Sequence, residues 1–271
     1  MYKRQVQHAE ALYVDALALA RASGDAELLG RTLTNLAITL RDQGRLDEAA
    51  AASAEGLSLF RGIGNDQLVS IALLNLGAIR LDADREDEAG ALFAECLELK
   101  RRLGDRFGIA NALANLASVA KRRSEWSEAR RLLEESLSLR RGLAEKRGLA
   151  LTLVELATVE IGDGRIDAAA PYLAEGTALY EETGDQRGLV YALEAHAQLA
   201  CARGDYERAL TLASVSAAER ERLGTPLLPV ERASMSAVVS RSRESLGGEK
   251  ADAAERAGFV MSRSRALELT R

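Results

Sequence analysis

Histidine and cysteine occur only twice each, proline three times, tryptophan once, and aromatic residues make up 4% of the 271 residues. Two cysteines cannot make the disulfide framework of a small secreted domain, and unpaired thiols fit a reducing cytoplasm, which is the expected location. So few prolines leave long stretches open to helix. Positive charge is not in excess: 36 Lys and Arg stand against 41 Asp and Glu, a net charge of −5. That balance argues against a direct grip on nucleic acid, which needs clustered cations. The short basic runs Lys100-Arg101-Arg102 and Lys121-Arg122-Arg123 suit helix C-termini, where cations meet the negative end of the helix dipole. Long hydrophobic runs are also missing. The uncharged stretch Phe107 to Ala120 is too short to span a bilayer, so no membrane partner is expected. No secretory signal stands at the N-terminus.

What the chain does have is a 40-residue period. Gly24-Asp25, Gly64-Asn65-Asp66, Gly104-Asp105 and Gly184-Asp185 mark it, with Ala144-Glu145 in the remaining slot and Gly224-Thr225 closing the series. A fixed period of this size indicates stacked repeats. Nine residues after each mark stands Leu33, Leu73, Leu113, Leu153 or Leu193. Twelve after stands Leu36, Leu76, Leu116, Leu156 or His196, and thirteen after stands Ala37, Gly77, Ala117, Ala157 or Ala197. Spacings of three and four place these residues on one face of a helix, here called helix A. A break follows at Gly44, Asp84, Ser124, Gly164 and Gly204. A second helix, B, then opens with acidic first turns such as Asp47-Glu48 and Asp87-Glu88, which are expected to cap its free N–H groups. Helix B is apolar through Leu57, Leu97 and Leu137, with small residues Gly56, Cys96, Ser136, Gly176 and Ser216 alongside. Cys96 and Cys201 fall in different repeats, beyond disulfide reach of each other.

The pattern of Leu followed by Ala or Gly in helix A, a turn glycine, and a small residue in helix B resembles the tetratricopeptide repeat in its 40-residue form. Leu or Ala stands at most of that family's aromatic positions. The resemblance implies an all-α fold, a right-handed α-solenoid of antiparallel helix pairs, that binds protein without catalysis or cofactor. The expected organisation is an unpaired helix B over residues 1–23, five repeats over 24–223, and C-terminal capping helices over 224–271. Residues Met1 to Gln5 also resemble a translated transposon adapter, so the expectation is a fragment whose natural start lies upstream of Val6. The closing segment, from Thr225-Pro226-Leu227-Leu228-Pro229 through Leu246-Gly247-Gly248 to Ser262 and Ala266-Leu267, resembles the end of repeat domains in bacterial LuxR-like and antibiotic-regulator-type signalling ATPases. That resemblance implies a sensor and interaction arm of a larger transcriptional regulator. A free-standing interaction scaffold is the alternative.

Candidate sites follow from the same register. Gly247-Gly248-Glu249-Lys250 lacks the spacing and the Ser or Thr of a phosphate loop and reads as a turn. His8 and His196 have no His or Cys three or four residues away, so no metal site is expected. His196 stands where other repeats have leucine, and a buried, hydrogen-bonded imidazole is expected. Pairs such as Glu134-Glu135 and Glu181-Glu182 are solvated helix surface. The polar series Asn35, Asn75 and Asn115 precedes the core leucine of helix A. In the tetratricopeptide family this position faces the concave groove, where an amide can donate to and accept from a peptide backbone. The candidate groove residues are Arg31, Asn35, Asn75, Asn111, Asn115, Ser118, Glu155, Thr158, Tyr191 and Gln198, with Ile38, Ile71, Ala78 and Leu151 on the same face. The partner is a protein or peptide segment or a small inducer. Hydrogen bonding to an adjacent repeat is the structural alternative for the asparagines.

Overall fold

The computed structural model describes residues 16–225, 227 and 229–270. His8, the five residues that resemble an adapter and most of the expected unpaired helix lie outside them. The described residues divide into two compact units at Arg123/Ser124. In the first, α1 covers residues 16–23, followed by α2 (Ala26–Asp42), α3 (Leu46–Gly62), α4 (Asp66–Asp82), α5 (Glu86–Arg102) and α6 (Arg106–Arg122). In the second come α7 (Trp126–Leu143), α8 (Lys146–Gly162), α9 (Ile166–Thr183), α10 (Gln186–Ala202), α11 (Tyr206–Leu223), α12 (Pro229–Leu246), α13 (Gly248–Val260) and α14 (Arg263–Glu268). Among the described residues there is no strand.

Each helix packs on the next within its unit: α2 on α3, α3 on α4, α4 on α5 and α5 on α6 in the first; α8 on α9, α9 on α10 and α10 on α11 in the second. Alternate helices also touch, α2 with α4, α4 with α6 and α8 with α10. These are stacked antiparallel pairs. The apolar series of helix A forms their core: Leu73, Leu113, Leu153 and Leu193 are fully buried, as are Ala37, Ala157 and Ala197. The small positions allow close approach. A Cβ at Gly77 would lie 2.5 Å from the Phe93 ring, and one at Gly188 would lie 2.2 Å from Tyr180.

Helix ends are set by backbone conformation. A residue with positive φ stands at positions 24, 44, 64 and so on through 224, one every 20 residues. Eight of these eleven are glycine, which tolerates that region; Asp84, Ser124 and Ala144 adopt it at φ 56°, 57° and 53°. The following amide reaches back to close most of these helices, as Arg45 N–H does on the Leu40 carbonyl at 2.9 Å and Asp205 N–H on Ala200 at 2.9 Å, a Schellman closure.

The side-chain caps lie on helix A. Asp25, Asn65, Asp105, Glu145 and Asp185 accept from the amides of Leu28, Leu68, Gly108, Gly148 and Gly188 at 2.7–3.1 Å. For helix B the expectation of acidic capping is corrected: Arg45, Arg85, Glu125 and Arg165 occupy the cap positions and make no side-chain cap bond. Its first-turn acids pair sideways with arginine, Glu48 with Arg45 and Glu88 with Arg85. Asp205 of α11 does cap, on Arg208 N–H at 3.3 Å.

Two of the helix A caps also neutralise a buried cation. Asp105 gives Oδ1 to the Gly108 amide and Oδ2 to Lys100 Nζ at 2.7 Å. Glu145 gives Oε1 to Gly148 and Oε2 to Arg140 Nη1 at 2.6 Å. Lys100 and Arg140 are each 3% exposed, and a buried cation needs such a partner. The Lys100 ammonium, with the Gly108 amide, holds the Asp105 carboxyl below its usual range.

Two stability outcomes follow. Ala144→Gly removes a left-handed alanine and is expected to raise the unfolding free energy by about 0.5–1 kcal/mol, read by urea denaturation; no change would mean the turn is not strained. Leu113→Ala empties a fully buried site and is expected to cost about 3 kcal/mol. Leu116→Ala, at a half-buried position, should cost distinctly less in the same assay; equal losses would contradict this register.

Candidate functional site

The series spaced four and three residues apart on helix A forms one outward face in each unit. In the first unit Arg31, Asn35 and Ile38 of α2 are exposed. Ile71 of α4 is exposed, with Asn75 and Ala78 half-buried beside it. Asn111, Asn115 and Ser118 of α6 are half-buried. Arg31 donates Nε to Glu27 at 2.8 Å, one turn earlier. The Asn115 amide donates to the Asn111 carbonyl at 2.9 Å and the Ser118 hydroxyl to the Ala114 carbonyl at 3.1 Å. Both stay within α6, so Asn115 and Ser118 spend their donors locally while Asn35 and Asn75 present amides outward.

In the second unit Leu151 of α8 is 41% exposed, and Glu155 and Thr158 are half-buried. Thr158 donates to the Glu155 carbonyl at 2.8 Å. Tyr191 of α10 donates its hydroxyl to the Glu155 carboxylate. Burial raises the Tyr191 phenol well above its usual pKa, and the Glu155 carboxylate adds to this, so the phenol stays a neutral donor. Gln198 is half-buried. The asparagine column continues as Glu155 and then Ala195; Ala195 is buried on a helix that packs against α12.

A polar group that sequence reasoning missed lies one turn away. Arg220 forks onto Glu194 at 2.5 and 2.8 Å, approaches Glu231 at 3.5 Å, and donates to the Thr225 carbonyl at 3.2 Å. Glu194 is 3% exposed; burial raises its carboxyl pKa against the opposing pull of Arg220. Glu194 borders a cavity of about 300 Å³ lined also by Ser216, Leu227, Arg232, Met235 and Val239. A signal was present: earlier repeats carry Thr34, Leu74, Ala114 and Val154 where this one carries Glu194.

His196 is 6% exposed and its Nε2 lies 3.1 Å from the Thr177 hydroxyl, the buried, bonded imidazole expected. Burial, helped by Arg208 and Arg203, lowers its pKa to about 4. A hydroxyl beside an imidazole is the start of a nucleophile–base pair, but a base of that strength is protonated too reluctantly for neutral-pH catalysis. Cys96 and Cys201 are free and buried, and burial raises the Cys96 thiol to about 11, which leaves it unreactive. Among the described residues no cluster of three His, Cys, Asp or Glu could hold a metal, and no helix is long and apolar enough to cross a membrane.

Comparison with known proteins agrees with this geometry. Residues 68–142 match a family model described as tetratricopeptide repeat, and residues 29–61 match a second of the same description. Those two segments therefore match tetratricopeptide repeats. Similar solved structures include BtubC from P. vanneervenii, at 17% identity and TM-score 0.66, covering 82% of this chain and 93% of that one. Another is aspartyl phosphate phosphatase F from Bacillus subtilis, at 12% identity and TM-score 0.67, covering 92% and 69%. A third is the Rap conjugation gene regulator of plasmid pLS20 in complex with the Phr* peptide, at 14% identity and TM-score 0.61, covering 92% and 73%. At these identities the likeness establishes the fold alone. No curated protein sequence matches the chain significantly.

The imidazole gives a pH outcome. His196 is neutral in the fold down to about pH 4, whereas the unfolded side chain protonates near 6.5. The unfolded state therefore binds more protons between those values, and stability falls as pH falls through that window. The gap is worth roughly 3 kcal/mol. His196→Leu should flatten this part of the stability–pH curve relative to the parent; identical curves would place the imidazole in solvent.

Proposed function

We propose that this chain is a non-catalytic interaction module that holds an extended protein or peptide segment on its helix A faces. The observation that carries the reading is the mixed character of those faces. In the first unit outward amides at Asn35 and Asn75 alternate with exposed Ile38 and Ile71; in the second, Leu151 is exposed on the corresponding face. A peptide needs both: donors and acceptors for its backbone, and apolar contact for alternate side chains. Asn111, Asn115 and Ser118 extend the face in the first unit; Glu155, Thr158, Tyr191 and Gln198 supply it in the second. Among proteins with this fold, the Rap regulator of plasmid pLS20 is in complex with the Phr* peptide, which supports a peptide over a small inducer. Two free, buried cysteines support a reducing cytoplasm.

The finer reading, an interaction arm of a larger signalling ATPase, rests on the closing segment. There α12 runs to Leu246 and turns at Gly247, φ 79°. In-frame coding sequence upstream of Val6 that contains a Gly-Lys-Ser/Thr phosphate loop would establish it; a start codon one helix upstream would favour the free-standing scaffold.

The module reading is tested by selecting binders for the full chain from a displayed random peptide library. Asn75→Ala is expected to leave helicity unchanged and to weaken a selected peptide about tenfold, the equivalent of one hydrogen bond of about 1.4 kcal/mol. Peptides whose affinity ignores Asn35→Ala, Asn75→Ala and Tyr191→Phe alike would sink the assignment.

A further inference from the structure

In the second unit a cleft of about 370 Å³ opens beside α9, α10 and the start of α11, away from the groove series. At 100° per residue, His196, Leu199, Ala200 and Arg203 point roughly 130° around α10 from Tyr191 and Gln198. The cleft is lined on α9 by Ala170, Ala174 and Ala178, three alanines one turn apart, and floored by buried Leu199 and Ala200. Thr177 and His196 meet at its inner wall. Arg203, exposed, and Arg208, half-buried, reach it from α10 and α11.

The repeats serve as internal controls. Forty, 80 and 120 residues before Thr177 and His196 stand Leu137 and Leu156, Leu97 and Leu116, and Leu57 and Leu76. Here both leucines change together, to groups that hydrogen-bond each other; 40 residues further on the same positions hold Ala217 and Ser236. At the position of Arg208 the first three repeats carry Glu48, Glu88 and Glu128, so the sign of charge is reversed. A mutation of one core position would be drift within packing. Three coordinated departures around one cleft, two polar and one inverting charge, make a site.

The cleft is faced by two arginines and two acids, and the arginines carry its available hydrogen-bond donors. Among the described residues neither Arg203 nor Arg208 makes an ion pair, a state they share with Arg187, Arg241 and Arg256 of the same unit, whereas Arg140, Arg141, Arg147, Arg165 and Arg220 are paired. The charged groups facing the cleft are Glu181 from α9, Arg203 from α10, and Asp205 and Arg208 from α11. Asp205 is committed to capping α11. Two guanidinium groups over an alanine-lined trough suit a ligand with a negative head and an apolar body.

We propose that this cleft binds a small amphiphilic anion, a carboxylate or phosphate head on a short apolar body, with Arg203 and Arg208 holding the head and Ala174, Ala178 and Leu199 the body. The Thr177–His196 pair supplies the polar inner wall. The site is separate from the peptide face, so either can fail without the other.

The chain has two histidines, His8 and His196, so ring-proton NMR reads the cleft directly. Hexanoate or hexyl phosphate, titrated into the full chain at neutral pH, is expected to shift the His196 signals saturably while His8 stays as reference. Whichever probe acts at lower concentration identifies the head. The double variant Arg203→Gln, Arg208→Gln should weaken binding at least tenfold. Ala178→Leu, which fills the trough and leaves the charges in place, should do the same. Each variant is checked for unchanged helicity, and because they act by different means, misfolding of one leaves the other decisive. No saturable shift at millimolar probe, a shift that survives both variants, or an equal response to inorganic phosphate would overturn the proposal.

Discussion

One backbone constraint organises the rest of the molecule: a residue in the left-handed region every 20 positions. It terminates each of α2 to α11 after 17 or 18 residues, a rod of about 26 Å. Because the rods are equal, a residue at a given repeat position arrives at the same height and on the same face each time. The core leucines, the alanines that let helices approach and the outward asparagines all inherit their alignment from that spacing. Glycine is the easy solution at these positions, but Asp84, Ser124 and Ala144 show that packing of whole helices overrides a local cost of about 1–2 kcal/mol.

Such a backbone still has to bury polar groups where one helix hands over to the next. The residue four before each mark is Phe60, Lys100, Arg140, Tyr180 or Arg220, and the fold meets each differently. Phe60 lies over Gly30 and Tyr180 over Gly188, where any side chain would collide with the ring. Lys100 and Arg140 lie over Gly108 and Gly148 and use the second oxygen of the carboxylate that caps the next helix. Arg220 turns to Glu194 of the preceding helix. A single oxygen pair thus closes a helix end and neutralises a buried cation, which ties capping to the interhelical contact.

How much of this was legible depended on the reach of each interaction. The helix pairs, their turns and the leucine core follow from short-range periodicity and were readable. So was the buried state of His196, because a lone histidine in a leucine column has to be satisfied within the core. The acids of helix B were misread as caps, since an acid in a first turn can bond an amide or a neighbouring arginine, and Arg45 and Arg85 stand close enough to win Glu48 and Glu88. Glu194 and Arg220 stayed hidden because they are 26 residues apart and nothing local announces which acid a buried arginine will meet. Asn115 and Ser118 share the sequence position of outward groups, but bond within α6, a choice of rotamer that a column of residue types does not specify.

A repeat protein is its own control for function, and this argues for where to look in the chain. Stability asks the same thing of each interior repeat, so a column that stays leucine reports packing and a column that changes alone reports tolerance. Coordinated changes report something else. Around the last helix pairs, Thr177 and His196 replace two leucines and bond each other, and Glu194 enters an otherwise uncharged column and meets Arg220. Arg208 reverses an acid that recurs as Glu48, Glu88 and Glu128. Each buried polar group among them carries a desolvation cost that an apolar residue in its place would not. Packing gains nothing from that concentration of costs, whereas a surface that must recognise charge or hydrogen-bonding groups does.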